Sequence, residues 1–252
     1  MSPGAIIATT TAIGAGALAL RALRAGPATP VLRYHLVGPT LPGSAINDQR
    51  LPMSQLEPQL RHLARRGFEA VTLSEALARR GRPGRRVALT FDGPWAAFGR
   101  AAWPALRRAG LARATLFFPA ARLGHPLLDV GEGRPEPLLP TADLAHLAAT
   151  GVEVGVQWTR RPVDGRLDDA LRAARLRLEA AIGQPVTLLA LPAGAPDGAL
   201  LRAARRAGFR GGARQGGGGL LRRRTSPWDV PRLPVERDLA LLDLAGVLGA
   251  AG

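Results

Sequence analysis

The residues able to do chemistry gather in four short stretches, and each follows an apolar run. They are Tyr34-His35, Asp92 at the end of VALTFD, the segment from Gln157 to Arg161, and Pro192 to Gly194. Imidazole and carboxylate are the groups most often used to move protons in general acid–base work, so His35 and Asp92 are the candidate catalytic residues. Gln157, Trp158, Arg161 and Pro192, with Trp95 close behind Asp92, are candidates for holding a substrate. The chain has no Cys, which excludes thiolate chemistry, disulfides and Cys-based zinc sites. Any metal would fall to His, Asp or Glu, and there are four His in all. His62 and His146 fall inside predicted helices, away from the four stretches, and His125 follows Gly124 in an exposed loop.

The elements that must position these residues alternate in type. Pro30 to Val37 reads as a strand, Met53 to Arg66 as a helix, and Gly67 to Leu73 as a strand, after which Ser74 opens a short helix as its N-cap. Val87 to Phe91 is a buried strand, Trp95 to Ala109 a helix, and Ala114 to Pro119 a strand. Thr141 caps a helix over Ala142 to Ala149, and Gly151 to Val156 is the strand behind it. Leu167 to Ala181 is an Arg-rich helix whose Asp168-Asp169 complement its dipole. Val186 to Leu191 is a strand, and Asp197 to Ala207 a helix closed by Gly208. A last strand over Val230 to Val235 leads into a helix over Asp238 to Leu248. This alternation implies a parallel sheet covered by helices, open or closed into a barrel. In either form the site belongs at the carboxyl ends of the strands, which is where the four stretches lie. No repeat and no linker divides this body.

At 252 residues, 46% hydrophobic and 21% charged, the chain is globular, and collagen, coiled coil and acidic linker are excluded. There are 34 basic against 19 acidic residues, every basic one is Arg, and the formal charge is +15. The basic pairs fall mainly in predicted helices beside apolar positions, as solvated faces do, and no nucleic-acid motif accompanies them. Arg222-Arg223-Arg224 follows Gly216 to Gly219, which reads as a mobile loop. Residues 1–27 form a separate apolar segment ahead of a body over 28–252. Its uncharged run, Ala5 to Leu20, is shorter than the about 20 residues a spanning helix wants and carries its Arg after the run rather than before it. A membrane-associating helix and a packed or frayed surface helix both fit it, leaving membrane-associated and cytoplasmic locations open.

The order of motifs resembles the polysaccharide deacetylases, the NodB-homology carbohydrate esterases, from about Val31 to Leu248. VLRYHLV is similar to that family's first strand, VALTFDGPW to its Thr-Phe-Asp-Asp-Gly motif, and ARATLFFPAARLG to the strand after it. GVEVGVQWTRRP is similar to the segment normally ending in His-x-x-x-His-Pro, LLALPAG to the aromatic-Pro-aromatic-Gly turn, and PRLPV to the closing strand. The resemblance implies a single-domain α/β fold, a distorted (β/α) barrel of about seven parallel strands. It also implies hydrolysis of the acetamide of N-acetylglucosamine units by a divalent metal such as zinc, held by one Asp and two His, with another Asp as base.

Position by position, the implied ligands are missing. Gly93 stands for the second Asp, and Gln157 and Arg161 stand for the two His. Glycine has no donor, guanidinium stays protonated, and an amide is a weak ligand. No His follows His146 to serve as the family's general acid. The expectation is therefore a site without metal or other cofactor. Asp92 matches the family's base, and Arg161 enters the vacated metal position to pair with it; otherwise Asp92 merely caps the next helix. Trp95 and Trp158 stack on sugar rings or belong to the core. The reading is an impaired deacetylase-like protein that binds an N-acetyl amino-sugar polysaccharide. Two others stay open: an active deacetylase using Asp92 and His35, and Arg-mediated binding to an anionic polymer or membrane surface.

Overall fold

The computed structural model describes residues 27–129, 135–159, 166–192, 194, 197–237, 239 and 241–249. The apolar run Ala5 to Leu20 and Arg161 lie outside them. Along the chain the strands are β1 (Ala28–Tyr34), β2 (Leu36–Val37), β3 (Arg50–Leu51), β4 (Glu69–Val71), β5 (Arg86–Asp92), β6 (Ala114–Phe118), β7 (Leu127–Asp129), β8 (Pro135–Pro137), β9 (Val152–Gln157), β10 (Leu188–Ala190), β11 (Gly211–Ala213), β12 (Leu220–Arg222) and β13 (Leu233–Pro234). The α-helices are α1 (Met53–Arg65), α2 (Leu73–Ala78), α3 (Trp103–Arg108), α4 (Thr141–Ala149), α5 (Leu167–Ile182), α6 (Gly198–Arg206) and α7 (Leu241–Gly249).

The main sheet runs β11-β10-β9-β6-β5-β1-β12, with β4 also on β5 and β13 also on β1. All its described pairings are parallel except β1 with β12. It curls into a half-barrel, the distorted (β/α) barrel that the resemblance implies and one of the two forms that the alternation leaves open. β5 is buried along its whole length, as expected of a parallel strand covered on both faces.

The period of two along each strand divides the core in two. Leu32, Leu89, Phe91, Leu116, Phe118 and Val154 pack outward against the helices. Val31, Ala88, Phe117, Leu188, Ala190 and Ala213 fill the inside. The central plug is Phe117, and it fits because its partner across the ladder is Gly155, where a Cβ would stand 2.6 Å from the ring. Tyr34 falls on the outward face, stacked on Phe91 at 4.9 Å and donating to Gln59 Oε1 at 3.2 Å. Burial pushes its phenol pKa up. It does not line the barrel mouth beside His35.

Several local expectations are corrected. Thr72, rather than Ser74, caps α2, in a reciprocal capping box with Glu75. The Ser74 amide instead donates to Glu153 Oε2 at 3.2 Å, and Thr115 Oγ1 donates to the same oxygen at 2.8 Å. Burial pushes the Glu153 carboxyl up. Thr141 is the first residue of α4, after Pro140, and makes no cap bond. The helix predicted over Trp95 to Ala109 is a π-helical turn, Phe98–Ala102, running into α3; Pro104 has no amide to continue an α ladder across the junction. Gly216 to Gly219 is tied down, since the Gly219 carbonyl accepts from Val31 N at 2.7 Å and the Gly216 carbonyl from Arg232 N at 3.1 Å.

Two small appendages flank the mouth. β2 pairs with β3, and β7 with β8. Arg50 on β3 donates to Glu136 on β8 at 2.5 Å in a buried ion pair that joins them. Among the described residues no helix is long and apolar enough to cross a membrane.

Candidate functional site

The inward face of β5 presents Thr90 and then Asp92, while β1 presents Arg33 and, just beyond its end, His35. Asp92 is 2% exposed and Arg232, from the segment entering β13, is 0% exposed. The two meet side by side: Arg232 Nη1 donates to Asp92 Oδ1 at 2.6 Å and Nη2 donates to Oδ2 at 2.9 Å. This two-pronged geometry is the strong form of a guanidinium–carboxylate contact. The remaining donors of Arg232 are also occupied, Nε on the Arg214 carbonyl and Nη1 again on Thr90 Oγ1 at 3.3 Å. Its guanidinium lies over the Phe117 ring, 5.0 Å from the centroid. Arg33 adds a second cation, with Nη1 3.8 Å from Asp92 Oδ2 and Nη2 3.5 Å from Glu236 Oε1. Burial lowers the Arg33 pKa, opposed by Asp92.

Among the described residues the arginine that meets Asp92 is Arg232; Arg161, expected there from the sequence, lies outside them. Both carboxylate oxygens are engaged by a cation from the closing strand. Sequence reasoning missed Arg232 and Arg33. The available signal was an Arg inside each of two apolar strand segments, PRLPV and VLRYHLV, where a charge needs a buried partner.

Gly93 has φ +111°, and a Cβ built there would lie 2.1 Å from Trp95 Nε1. The Trp95 indole therefore fills the space into which any side chain at position 93 would grow. Trp95 is 5% exposed and packs with Leu36 and Leu138, so its faces belong to a small core and are not open to a sugar. His35 meets its ring edge to face, with centroids 5.5 Å apart at 77°. Burial pushes the His35 pKa down to about 4, with Arg33 and Arg232 acting in the same direction against Asp92 and Asp48. At neutral pH this imidazole is uncharged. Among the described residues no three His, Asp or Glu side chains come together as ligands for a cation. Gly93 with its space taken, and the amide of Gln157, do not fit a divalent metal.

Gln157 and Trp158 sit elsewhere. With Pro119, Arg122, His125 and Arg177 they line a cleft of about 560 Å³ between the ends of β6 and β9 and one face of α5. His35 and Asp92 are not among its walls. The structure thus separates the sequence-predicted residues into a group at the mouth (buried Asp92 and Trp95, half-buried His35) and an open group in the cleft (Gln157, Trp158). Pro192, half-buried after β10, lines neither.

The family model for polysaccharide deacetylases matches residues 79–212, just over half of the chain. This protein belongs to the polysaccharide deacetylase family. Solved deacetylases share its fold at low identity. The deacetylase PplD of Streptococcus pyogenes, described in complex with acetate, is 16% identical, with a TM-score of 0.72 over 88% of this chain and 99% of its own. IcaB from Ammonifex degensii is 22% identical, with a TM-score of 0.73 over 90% of this chain and 98% of its own. A polysaccharide deacetylase from Bacillus cereus is 17% identical, with a TM-score of 0.73 over 88% and 69%. No functionally curated protein matches the sequence. Within a deacetylase barrel kept almost whole, β5 still delivers Asp92 to the mouth, facing two arginines and a tryptophan.

Proposed function

We propose that this member of the polysaccharide deacetylase family does not hydrolyse acetamides and instead binds an N-acetyl amino-sugar polysaccharide. The observation that carries the reading is the engagement of both Asp92 oxygens by Arg232 at 2.6 and 2.9 Å. A base must reach the proton it removes, and this carboxylate is buried under a guanidinium. The neutral His35 and the Trp95 indole beside Gly93 support the same conclusion. Gly93 and Gln157 offer poor donors for the cation that would lower a water pKa and polarise the carbonyl. Glycan binding is supported by family membership and by the cleft, where partly exposed Trp158 offers a flat apolar surface to a sugar.

The test is acetate release from chitin oligomers, with and without added zinc or cobalt, beside calorimetric titration of each metal and of the oligomers. No release, no metal binding and measurable oligomer binding are expected. Metal-dependent turnover that disappears in Asp92→Asn would overturn the proposal and reinstate the chain as an active deacetylase.

A further inference from the structure

The cleft beneath Trp158 is one-sided in charge. Arg122 reaches it from the short turn after β6, Arg177 from α5 and His125 from the loop between, and among the described residues no Asp or Glu lines it. Elsewhere on the surface many arginines are matched: Arg61 and Arg108 by Glu57, Arg79 by Glu69, Arg113 by Glu75, and Arg206 by Asp168. Among the described residues Arg122 has no acidic partner. Arg177 donates to the Leu123 carbonyl at 3.3 Å, a contact that places the guanidinium against the β6 side of the cleft without neutralising it. The Trp158 indole N–H, buried in the cleft wall, has no partner either.

Two cations and an aromatic surface in one concavity make a selective environment. Guanidinium groups match carboxylate geometry, and an anion in the cleft offsets the repulsion of two cations lining it. A purely neutral chitin-like chain would leave both arginines unmatched. The cleft volume suits a ligand of several sugar rings rather than a lone ion. We infer that this cleft is a subsite for an acidic sugar, a pyranose bearing a carboxylate, within the polysaccharide the protein binds. The inference rests on the glycan-binding reading and adds the charge class of the glycan.

The test compares two hexasaccharides by calorimetry at low salt: chitohexaose, which is neutral, and a hyaluronan fragment, in which N-acetylglucosamine alternates with glucuronate. A DNA duplex serves as a non-sugar polyanion. The hyaluronan fragment should bind at least about tenfold more tightly than chitohexaose, a difference of about 1.4 kcal/mol. Arg122→Gln/Arg177→Gln should bring the two within about twofold of each other while the melting temperature stays unchanged, because both side chains are solvent-accessible. Equal binding of the two hexasaccharides overturns the acidic subsite and leaves the glycan-binding reading standing. Binding of neither overturns both. A preference that survives in the double variant, or DNA binding as tight as hyaluronan binding, places the effect in the general positive charge and overturns the subsite.

Discussion

A carboxylate on the inward face of a barrel strand must be matched by something positive, because an isolated buried charge is far more costly than a paired one. In a metal-dependent deacetylase the match would be the ion; here it is Arg232, with Arg33 at 3.8 Å behind it. The sequence made the need for a cation legible but not its source. Arg161, at a position matching a ligand, lies outside the described residues, and Arg232 belongs to a segment whose apolar pattern reads simply as closing strand. Only the meeting of that segment with β1 and β5 brings its guanidinium over Phe117. His35 was legible as a mouth residue, while its burial against Trp95 was not. That burial has a consequence in acid. The folded-state pKa of about 4 lies below the ordinary 6.5. Between those values the unfolded chain binds the proton and the folded one does not, so stability rises with pH there. The contribution is complete above pH 6.5 and is lost as pH falls to about 4. Urea titrations across this range should show the wild type losing up to about 3 kcal/mol more than His35→Phe, which keeps a ring against Trp95. Parallel profiles for the two would show that His35 titrates as it does in the unfolded chain.

The long strands and helices were readable because burial on both faces leaves continuous apolar runs and one-sided burial leaves a helical stripe. Elements of two or three residues that lie outside such runs leave neither. β3, β7 and β8 are of this kind, and so is β12, which follows glycines whose carbonyls hold β1 and Arg232. These short pieces nevertheless close over the mouth. Leu36 on β2 and Leu138 just after β8 pack on Trp95, and Arg50 and Glu136 join the two ribbons behind them. Neither ribbon has enough backbone pairing to stand alone, so the buried ion pair fixes how they meet. Glu136→Ala should strand Arg50 in an apolar setting and lower unfolding stability by about 3 kcal/mol or more. Replacing both partners together, Arg50→Met with Glu136→Leu, should restore most of that loss, since an apolar pair needs no charge matching. If the single and double variants are equally unstable in denaturant melts, the ribbons are held by their side-chain packing instead.

Over the whole molecule, a barrel aligned with nearly the full length of IcaB and PplD carries a formal charge of +15. At the strand ends Arg232 lies over Phe117, and Trp95 takes the space beside Gly93. The charge acts on stability in a different way from the buried pairs. Surface pairs such as Arg79 with Glu69 and Arg108 with Glu57 are each worth at most about 1 kcal/mol and are screened by salt. The excess of 34 basic over 19 acidic residues repels itself across the surface in the folded state more than in the expanded one. Salt therefore weakens a few small attractions and many small repulsions, while the pairs at Asp92 and Glu136 are shielded by burial. The repulsions are more numerous, so moderate sodium chloride should raise the melting temperature by about 2–4 °C, the equivalent of roughly 1 kcal/mol for a chain of this size. The same salt should weaken binding of a hyaluronan fragment, because attraction between Arg122, Arg177 and carboxylates is exposed to it. Stability and acidic-glycan affinity moving in opposite directions would separate the two uses of arginine. A melting temperature that falls with salt would mean that the surface pairs outweigh the net charge.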